Sequence, residues 1–244
     1  MARLHRPKAG LWVRTWVIIL FPLSSALFRL RWRNLERVPA PEHGGVLIAI
    51  NHLSHADTVL MARLVWTSGR VPRFLIKAGV FDWPVIGRMM RGSGQIPVHR
   101  GTADAAQSLQ EAIDALRRGE AVVIYPEGTT TKDPDNWPML AKTGIARLVL
   151  ACPEIPVVPI GQWGAQKVGD SHVKSFSRRR TSYASVGEPL DLSRFRGKEP
   201  SGSLLREITD EIMTAIRHEV ATLRQEPAPE QFYVPNQKYV DKAR

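Results

Sequence analysis

Cysteine is almost absent from this sequence, since Cys152 is the only one among 244 residues. One thiol excludes an intrachain disulfide and favours a location on the cytosolic side of a membrane. Long apolar runs are absent as well. The apolar stretch Trp16–Phe28 lies between Arg14 and Arg29 and contains Pro22, so it falls short of the roughly 20 residues that a transmembrane helix needs.

Acidic residues are few relative to basic ones, with 23 Asp and Glu against 34 Lys and Arg and a net charge of +11. Such a balance predicts an anionic partner, either nucleic acid or an acidic membrane surface. Eight of the first forty residues are basic and only Glu36 is acidic. These charges flank the apolar stretch instead of alternating with aromatic residues, which favours lipid and predicts no nucleic-acid partner.

Residues 1–34 are therefore predicted to form a basic, amphipathic membrane-anchoring segment. We expect a helix or a bent helix pair that lies in the membrane interface, at the cytoplasmic face of the cell membrane, as in a peripheral or monotopic protein. The alternative is a helix that packs on the protein's own core. No small-residue cleavage site follows the apolar stretch, which argues against a signal peptide.

The next part of the chain alternates between strand-like and helix-like patterns. Strands are predicted at 45–50, 73–76, 95–98, 121–125, 156–160 and 183–186. Helices are predicted at 56–68, between an N-cap at Thr102 and a C-cap at Gly119, at 141–151 and at 203–224. This alternation predicts an α/β sandwich, with a mixed, mostly parallel central sheet between helices. We assign residues 35–224 to this domain and 225–244 to an extended C-terminal tail.

Two histidines and a carboxylate follow the predicted strand at 45–50. Ser54 and Asp57 fit a capping box, in which Ser54 caps the following helix. His52 needs a partner for each ring nitrogen, and Asp57 can reach back to fix its tautomer, which leaves the other nitrogen to act as a base. A zinc site of His52, His55 and Asp57 is the alternative; no other cluster has ligand spacing, and we predict no metal.

Two further strand ends carry polar residues. The stretch GQIPVHR ends in Arg100, whose guanidinium suits bidentate phosphate binding. The stretch AVVIYPEGTT places Glu127 at the carboxyl end of a strand, where open α/β sheets bind ligands. The amide of Gly128 or Thr129 is a candidate donor to an oxyanion. No protein nucleophile is evident, so a hydroxyl of the substrate is the expected attacking group.

In this order, N-H-x4-D, G-x-I-P-V-x-R, Y-P-E-G-T and V-P-I resemble the four motifs of the lysophospholipid acyltransferases. The resemblance, nearest to the bacterial 1-acylglycerol-3-phosphate acyltransferases, covers about Leu35 to Pro189. It implies a glycerolipid-acyltransferase fold and transfer of a fatty acyl group from acyl-CoA or acyl carrier protein to a lysophospholipid. The most direct product is phosphatidic acid, and the reaction requires no cofactor beyond the acyl donor.

The same resemblance implies residue roles. His52 would be the general base and Asp57 its orienting partner. Binding of the phosphorylated acceptor would fall to Lys77, Arg100, Glu127, Gly128 and Thr129. The acyl chain would lie near Val158, Pro159 and Ile160.

The sequence departs from the family pattern at two positions. Thr130 stands where the family has an arginine, and His99 replaces an acid. A missing phosphate contact could come from Lys132, Lys142 or the run Arg178–Arg180. Other acceptors therefore stay open, namely glycerol-3-phosphate, another lysophospholipid or a glycolipid. A non-catalytic, basic protein that binds membranes or nucleic acid is the remaining alternative. We assign no role to His55.

Overall fold

The computed structural model describes residues 9–99, 105–167 and 179–235. These residues form an α/β fold, which confirms the predicted fold class. The strands are β1 (Phe28–Arg33), β2 (Val46–Ile50), β3 (Pro72–Lys77), β4 (Ile96–Val98), β5 (Ala121–Ile124), β6 (Val157–Trp163) and β7 (Arg180–Val186). The helices are α1 (Leu11–Leu27), α2 (Asp57–Thr67), α3 (Pro84–Gly92), α4 (Ala105–Arg117), α5 (Gly144–Ala151) and α6 (Gly202–Arg224).

The seven strands of the described residues join in the order β1-β7-β6-β2-β5-β3-β4. Only β6 and β7 pair antiparallel, so β2 to β6 all point in one direction. Their carboxyl ends consequently meet at one edge of the sheet. Because β2 is the middle strand, the residues that follow Ile50 emerge at the centre of this edge, where parallel sheets bind their ligands.

Strand β2 is buried on both faces, as the continuous apolar run predicts. Leu47 and Ala49 pack in the core that α4, α5 and α6 cover. Val46, Ile48 and Ile50 pack in a second core that includes buried residues of α2. Because β2 is packed on both faces, the residues that directly follow it start from a fixed position.

Strand β1 was not predicted, because its arginines were interpreted as part of the membrane-anchoring segment. It pairs in parallel with β7 at the end of the sheet. Phe28, Leu30 and Trp32 pack in the core, and the arginines between them are exposed. The sequence FRLRWR carries this signal as a strict alternation of apolar and basic residues, which is the strand period. Strand β1 is therefore part of the sheet, although it lies before residue 34, where the membrane-anchoring segment was predicted to end.

Helix α1 is one continuous helix that contains Pro22. Arg63 of α2 ties it to the domain, since its guanidinium donates to the Phe21 carbonyl at 3.0 Å and to the hydroxyls of Ser24 and Ser25. The outer face of α1 exposes Leu11, Ile18, Ile19, Leu23 and Leu27 to solvent. Within the described ranges, no helix is both long and apolar enough to span a membrane.

Candidate active site

His52 and Asp57 form a close pair at the carboxyl edge of the sheet. The His52 Nδ1 atom lies 3.0 Å from Asp57 Oδ1 and 3.1 Å from Oδ2. Asp57 is completely buried, whereas the His52 side chain keeps 12% of its surface exposed. The contact expected from the five-residue spacing is therefore present, and the histidine alone reaches solvent.

The Asp57 carboxylate is held in place by backbone amides. Its Oδ2 accepts hydrogen bonds from the amides of Leu53 at 2.7 Å and Ser54 at 2.9 Å. The prediction that Ser54 caps α2 is wrong, because no side chain caps this helix. The Ser54 hydroxyl instead donates to the Ala165 carbonyl at 3.0 Å. Of the predicted capping box, only the hydrogen bond from the Ser54 amide to the Asp57 carboxylate forms. This bond helps to hold Asp57 in place.

The carboxylate determines which ring nitrogen of His52 is free. An ionised carboxylate only accepts hydrogen bonds, so in the neutral imidazole the proton lies on Nδ1 and Nε2 carries the lone pair. This arrangement suits a base that removes a proton from a bound hydroxyl. In the part of the chain that the structure describes, no group of three or more His, Cys, Asp or Glu side chains is arranged to hold a metal ion.

The backbone of His52 is held by the β5–α5 loop, residues 125–143. Glu127 Oε1 accepts the His52 amide hydrogen at 2.8 Å, and the Thr131 amide donates to the His52 carbonyl at 2.7 Å. The other oxygen of Glu127 accepts from the Met139 amide at 3.1 Å. Both polar groups of the His52 backbone are therefore bound by this one loop.

Glu127 is completely buried, which differs from the expected role of contacting the acceptor directly. Burial raises the pKa of its carboxyl to about 8, against the opposing effect of the two amide hydrogen bonds. The nearby charge of Asp57 also raises it. Glu127 thus links the backbone of His52 to that of Met139.

The ring of Tyr125 packs against the ring of His52, a contact that was not predicted. The two rings stack with centroids 4.2 Å apart and an 18° angle between their planes, and Phe74 stacks beyond Tyr125. The Tyr125 hydroxyl is buried, and the side chains of Thr58 and Asp57 lie beside it. Burial, followed by the charge of Asp57, raises the pKa of this phenol. An aromatic residue directly before Pro126 is the signal that could have indicated this contact.

The predicted oxyanion donors differ in what they bind. The Gly128 amide donates to the Tyr125 carbonyl at 2.9 Å, and Gly128 adopts a φ of +71°, which favours glycine. Within the described residues, the Thr129 amide donates no hydrogen bond to a backbone carbonyl. The aliphatic part of Lys142 lies over Gly128, at 3.4 Å from the position that a β-carbon would occupy.

The remaining predicted site residues are scattered. Lys77 is exposed at the end of β3, in register with Val98 of β4. Arg100, like Arg178 of the suggested basic run, lies outside the described residues. His55 is exposed, and its ring meets the His52 ring edge-on at 6.2 Å.

The segment Val158–Ile160 lies inside the sheet. Val158 and Ile160 are completely buried in the core between β2 and β7, so this segment offers no surface to an acyl chain. An apolar groove exists elsewhere, between α1, α2 and β3. Its walls include Trp16, Val17, Leu20, Val59, Ala62, Phe74 and Ile76. Thr58, next to Asp57 in sequence, also lines it.

Comparison with known proteins shows the family to which the chain belongs. The family model described as "Acyltransferase" matches residues 29–163, more than half of the chain. The matched region contains β2, His52, Asp57 and the β5–α5 loop. The protein belongs to this acyltransferase family.

Several similar sequences carry the names of acyltransferases. A chloroplastic 1-acyl-sn-glycerol-3-phosphate acyltransferase of Arabidopsis thaliana is 28% identical over 68% of this chain and 43% of its own length. The enzyme of that type from Neisseria gonorrhoeae is 34% identical over 38% of this chain and 35% of its own. A lyso-ornithine lipid O-acyltransferase of Pseudomonas aeruginosa is 35% identical over 35% and 31%. The match thus spans less than half the length of each of these relatives.

A solved structure shares the fold. The crystal structure of the 1-acyl-sn-glycerophosphate acyltransferase PlsC from Thermotoga maritima aligns with a TM-score of 0.61. The alignment covers 87% of this chain and 80% of that protein at 19% sequence identity. At this identity the likeness establishes the common fold.

The raised pKa of Glu127 predicts a pH dependence of stability. Its carboxyl ordinarily titrates near 4.5 and in the folded protein near 8, so folding is favoured by its proton. This contribution to the free energy of unfolding is complete below about pH 4.5 and decreases as the pH rises to about 8. We expect Glu127→Gln to lose less stability than the wild type between about pH 5 and pH 8, measured by urea unfolding.

The two proteins contain the same histidines, so the difference between their pH slopes isolates Glu127. The variant should be less stable at low pH. Its side chain has an NH₂ group in place of one carboxyl oxygen, so one of the two backbone amides, of His52 or Met139, loses its acceptor. Equal pH slopes would show that Glu127 has an ordinary pKa in the folded protein.

Proposed function

We propose that the protein transfers a fatty acyl group from acyl-CoA or acyl carrier protein to the free hydroxyl of 1-acylglycerol-3-phosphate, giving phosphatidic acid. The observation that carries this proposal is the His52–Asp57 pair, in which a buried carboxylate binds Nδ1 of a partly exposed histidine. Membership of the acyltransferase family and the names of the similar sequences support the reaction type.

In the proposed reaction, His52 Nε2 takes the proton of the acceptor hydroxyl as its oxygen attacks the thioester carbonyl. A carbon–oxygen bond forms, and the carbonyl oxygen becomes an oxyanion. When this intermediate collapses, the carbon–sulfur bond breaks and the leaving thiolate takes the proton back from the imidazolium. Asp57 stabilises the imidazolium while it exists and keeps Nδ1 protonated throughout.

The oxyanion and the acceptor need donors and positive charge. We assign the oxyanion to the Thr129 amide, because the Gly128 amide is engaged in a turn. Lys77 and Arg100 are proposed to bind the acceptor phosphate. Lys142, whose side chain lies over Gly128, is proposed in place of the arginine that Thr130 replaces. Glu127 acts indirectly, through the backbone of His52.

The acyl chain is proposed to lie in the groove between α1, α2 and β3. Its lining is largely apolar, as in most sites that bind a hydrocarbon group. Thr58 and Phe74 line its inner part, and Phe74 stacks on Tyr125, which stacks on His52. An acyl chain in the groove would therefore lie close to His52, and its thioester carbonyl would reach the base.

Peripheral attachment to a membrane surface, at the cytoplasmic face, is proposed through α1. Five large apolar side chains on this helix are exposed, with Leu11 at 77% and Ile18 at 72%. Arg29, Arg31 and Arg33 are exposed on β1, directly after the helix. Apolar side chains beside arginines suit the boundary between acyl chains and anionic headgroups.

A different acceptor is the second candidate. One similar sequence is a lyso-ornithine lipid O-acyltransferase, an enzyme named for an acceptor that carries an amino acid. Thr130 in place of an arginine weakens the case for a phosphate at that position. The base and the acyl groove would be unchanged in this alternative, and the groups around Thr130 and Lys142 would select the headgroup.

The proposal predicts that acyl transfer depends on His52. Purified protein in detergent should transfer palmitoyl or oleoyl groups from CoA to lysophosphatidic acid, and His52→Ala should lower the rate by about a hundredfold or more. His55→Ala is the matched control, since it removes an exposed neighbouring histidine and should retain the rate within a few-fold. Glycerol-3-phosphate and lyso-ornithine lipid, offered in parallel, distinguish the acceptors.

Thioester consumption that is equal with and without His52 would contradict the proposed mechanism. Turnover of lyso-ornithine lipid alone would contradict the proposed acceptor and favour the second candidate. The groove assignment is tested by Ala62→Trp, which should lower the rate with palmitoyl-CoA far more than with octanoyl-CoA. An equal loss with both donors would place the acyl chain elsewhere.

Membrane attachment predicts that acidic side chains on the exposed face of α1 prevent it. Ile18→Asp with Leu23→Asp should abolish flotation with vesicles that contain anionic lipid, because both charges would enter the apolar layer. The control Val234→Asp changes an exposed apolar residue outside α1 and should float as the wild type does. Unchanged flotation of the α1 variant would contradict attachment through this helix.

A further inference from the structure

The β5–α5 loop depends on contacts from the end of α6 and from the tail beyond it. Arg224, the last residue of α6, lies between two indole rings, 4.1 Å from the centroid of Trp137 and 4.3 Å from that of Trp163. It also donates to the Asp135 carbonyl at 2.6 Å. Its side chain is only 9% exposed. The charge of this guanidinium is paired with Glu226 in the tail, whose Oε2 accepts from Arg224 Nε at 2.9 Å.

Trp137 connects Arg224 to His52 in two steps. The Trp137 carbonyl accepts a hydrogen bond from the Thr131 hydroxyl at 2.7 Å. The amide of the same threonine donates to the His52 carbonyl at 2.7 Å. Displacement of the indole would therefore move a residue that is bound directly to the backbone of the base.

The tail provides a second connection. The Leu140 amide donates to the Tyr233 carbonyl at 3.0 Å, and Met139 forms an isolated parallel bridge with Tyr233. Arg217 of α6 holds this part of the tail, since its guanidinium lies 4.2 Å from the Phe232 ring. Met139 in turn donates to Glu127, which accepts the His52 amide hydrogen.

We infer that Arg224 and residues 225–235 form a C-terminal strap that sets the position of the His52 base through the β5–α5 loop. Arg224 is a positioning residue, because it contacts neither the base nor its carboxylate. The two connections reach opposite sides of the same residue, the carbonyl and the amide of His52. The strap lies outside residues 29–163, to which the family model aligns, and the inference rests on the proposed function in taking His52 as the base.

The test combines a structural readout with a kinetic one on the full chain in detergent. Selective ¹⁵N-histidine labelling gives the amide signal of His52, identified by its loss in His52→Gln. Arg224→Met and Phe232→Ala are compared with Arg194→Met, whose guanidinium also lies over a ring and pairs with Glu211. None of the described hydrogen bonds of Arg194 reaches the β5–α5 loop.

We expect the His52 amide signal to shift in both strap variants, and kcat for acyl transfer to fall about tenfold or more with KM little changed. Arg194→Met should keep the wild-type signal and kcat. If Arg224→Met does not fold, Phe232→Ala provides the comparison. A wild-type signal and kcat in the strap variants, or an equal loss in Arg194→Met, would overturn the inference. A shifted signal in a protein that transfers no acyl group to any acceptor would support the strap and contradict the proposed function.

Discussion

The buried carboxylate of Asp57 is the constraint on which the site depends. It accepts hydrogen bonds from the His52 ring and from the amides of Leu53 and Ser54, so it ties the turn after β2 to the start of α2. Burial of an unpaired carboxylate would be costly, and these donors offset that cost. The same bonds fix the tautomer of His52. The turn and the orientation of the proposed base therefore depend on the same carboxylate.

A second constraint acts on the backbone instead of the ring. The β5–α5 loop binds the amide of His52 through Glu127 and its carbonyl through Thr131. Since Glu127 is completely buried, its position depends on the packing of the loop against α6 and the tail. His52, the proposed base, is therefore held at both its ring and its backbone.

The sequence predicted the elements that lie in the middle of the sheet and missed one at its end. The run Val46–Ile50 and the period of residues 203–224 are strong signals, because burial on both faces or on one stripe leaves little choice of residue type. Strand β1 was missed because Arg29, Arg31 and Arg33 suit a membrane surface and a sheet edge equally well. Only its partner β7, about 150 residues later in the chain, decides between them, and a local pattern carries no information on such a pairing.

The site was predictable where contacts are local. His52 and Asp57 are five residues apart, so their contact follows from one turn of chain. The stacking of Tyr125 and the burial of Glu127 depend on which strands are neighbours in the sheet. The Ser54 hydroxyl, expected to cap α2, donates instead to the Ala165 carbonyl, which is distant in sequence. The most direct test of the account is the ¹⁵N chemical shift of the two His52 ring nitrogens in the neutral form. We predict a protonated Nδ1 and an unprotonated Nε2 in the wild type, and loss of this preference in Asp57→Ala; a proton on Nε2 in the wild type would contradict the account.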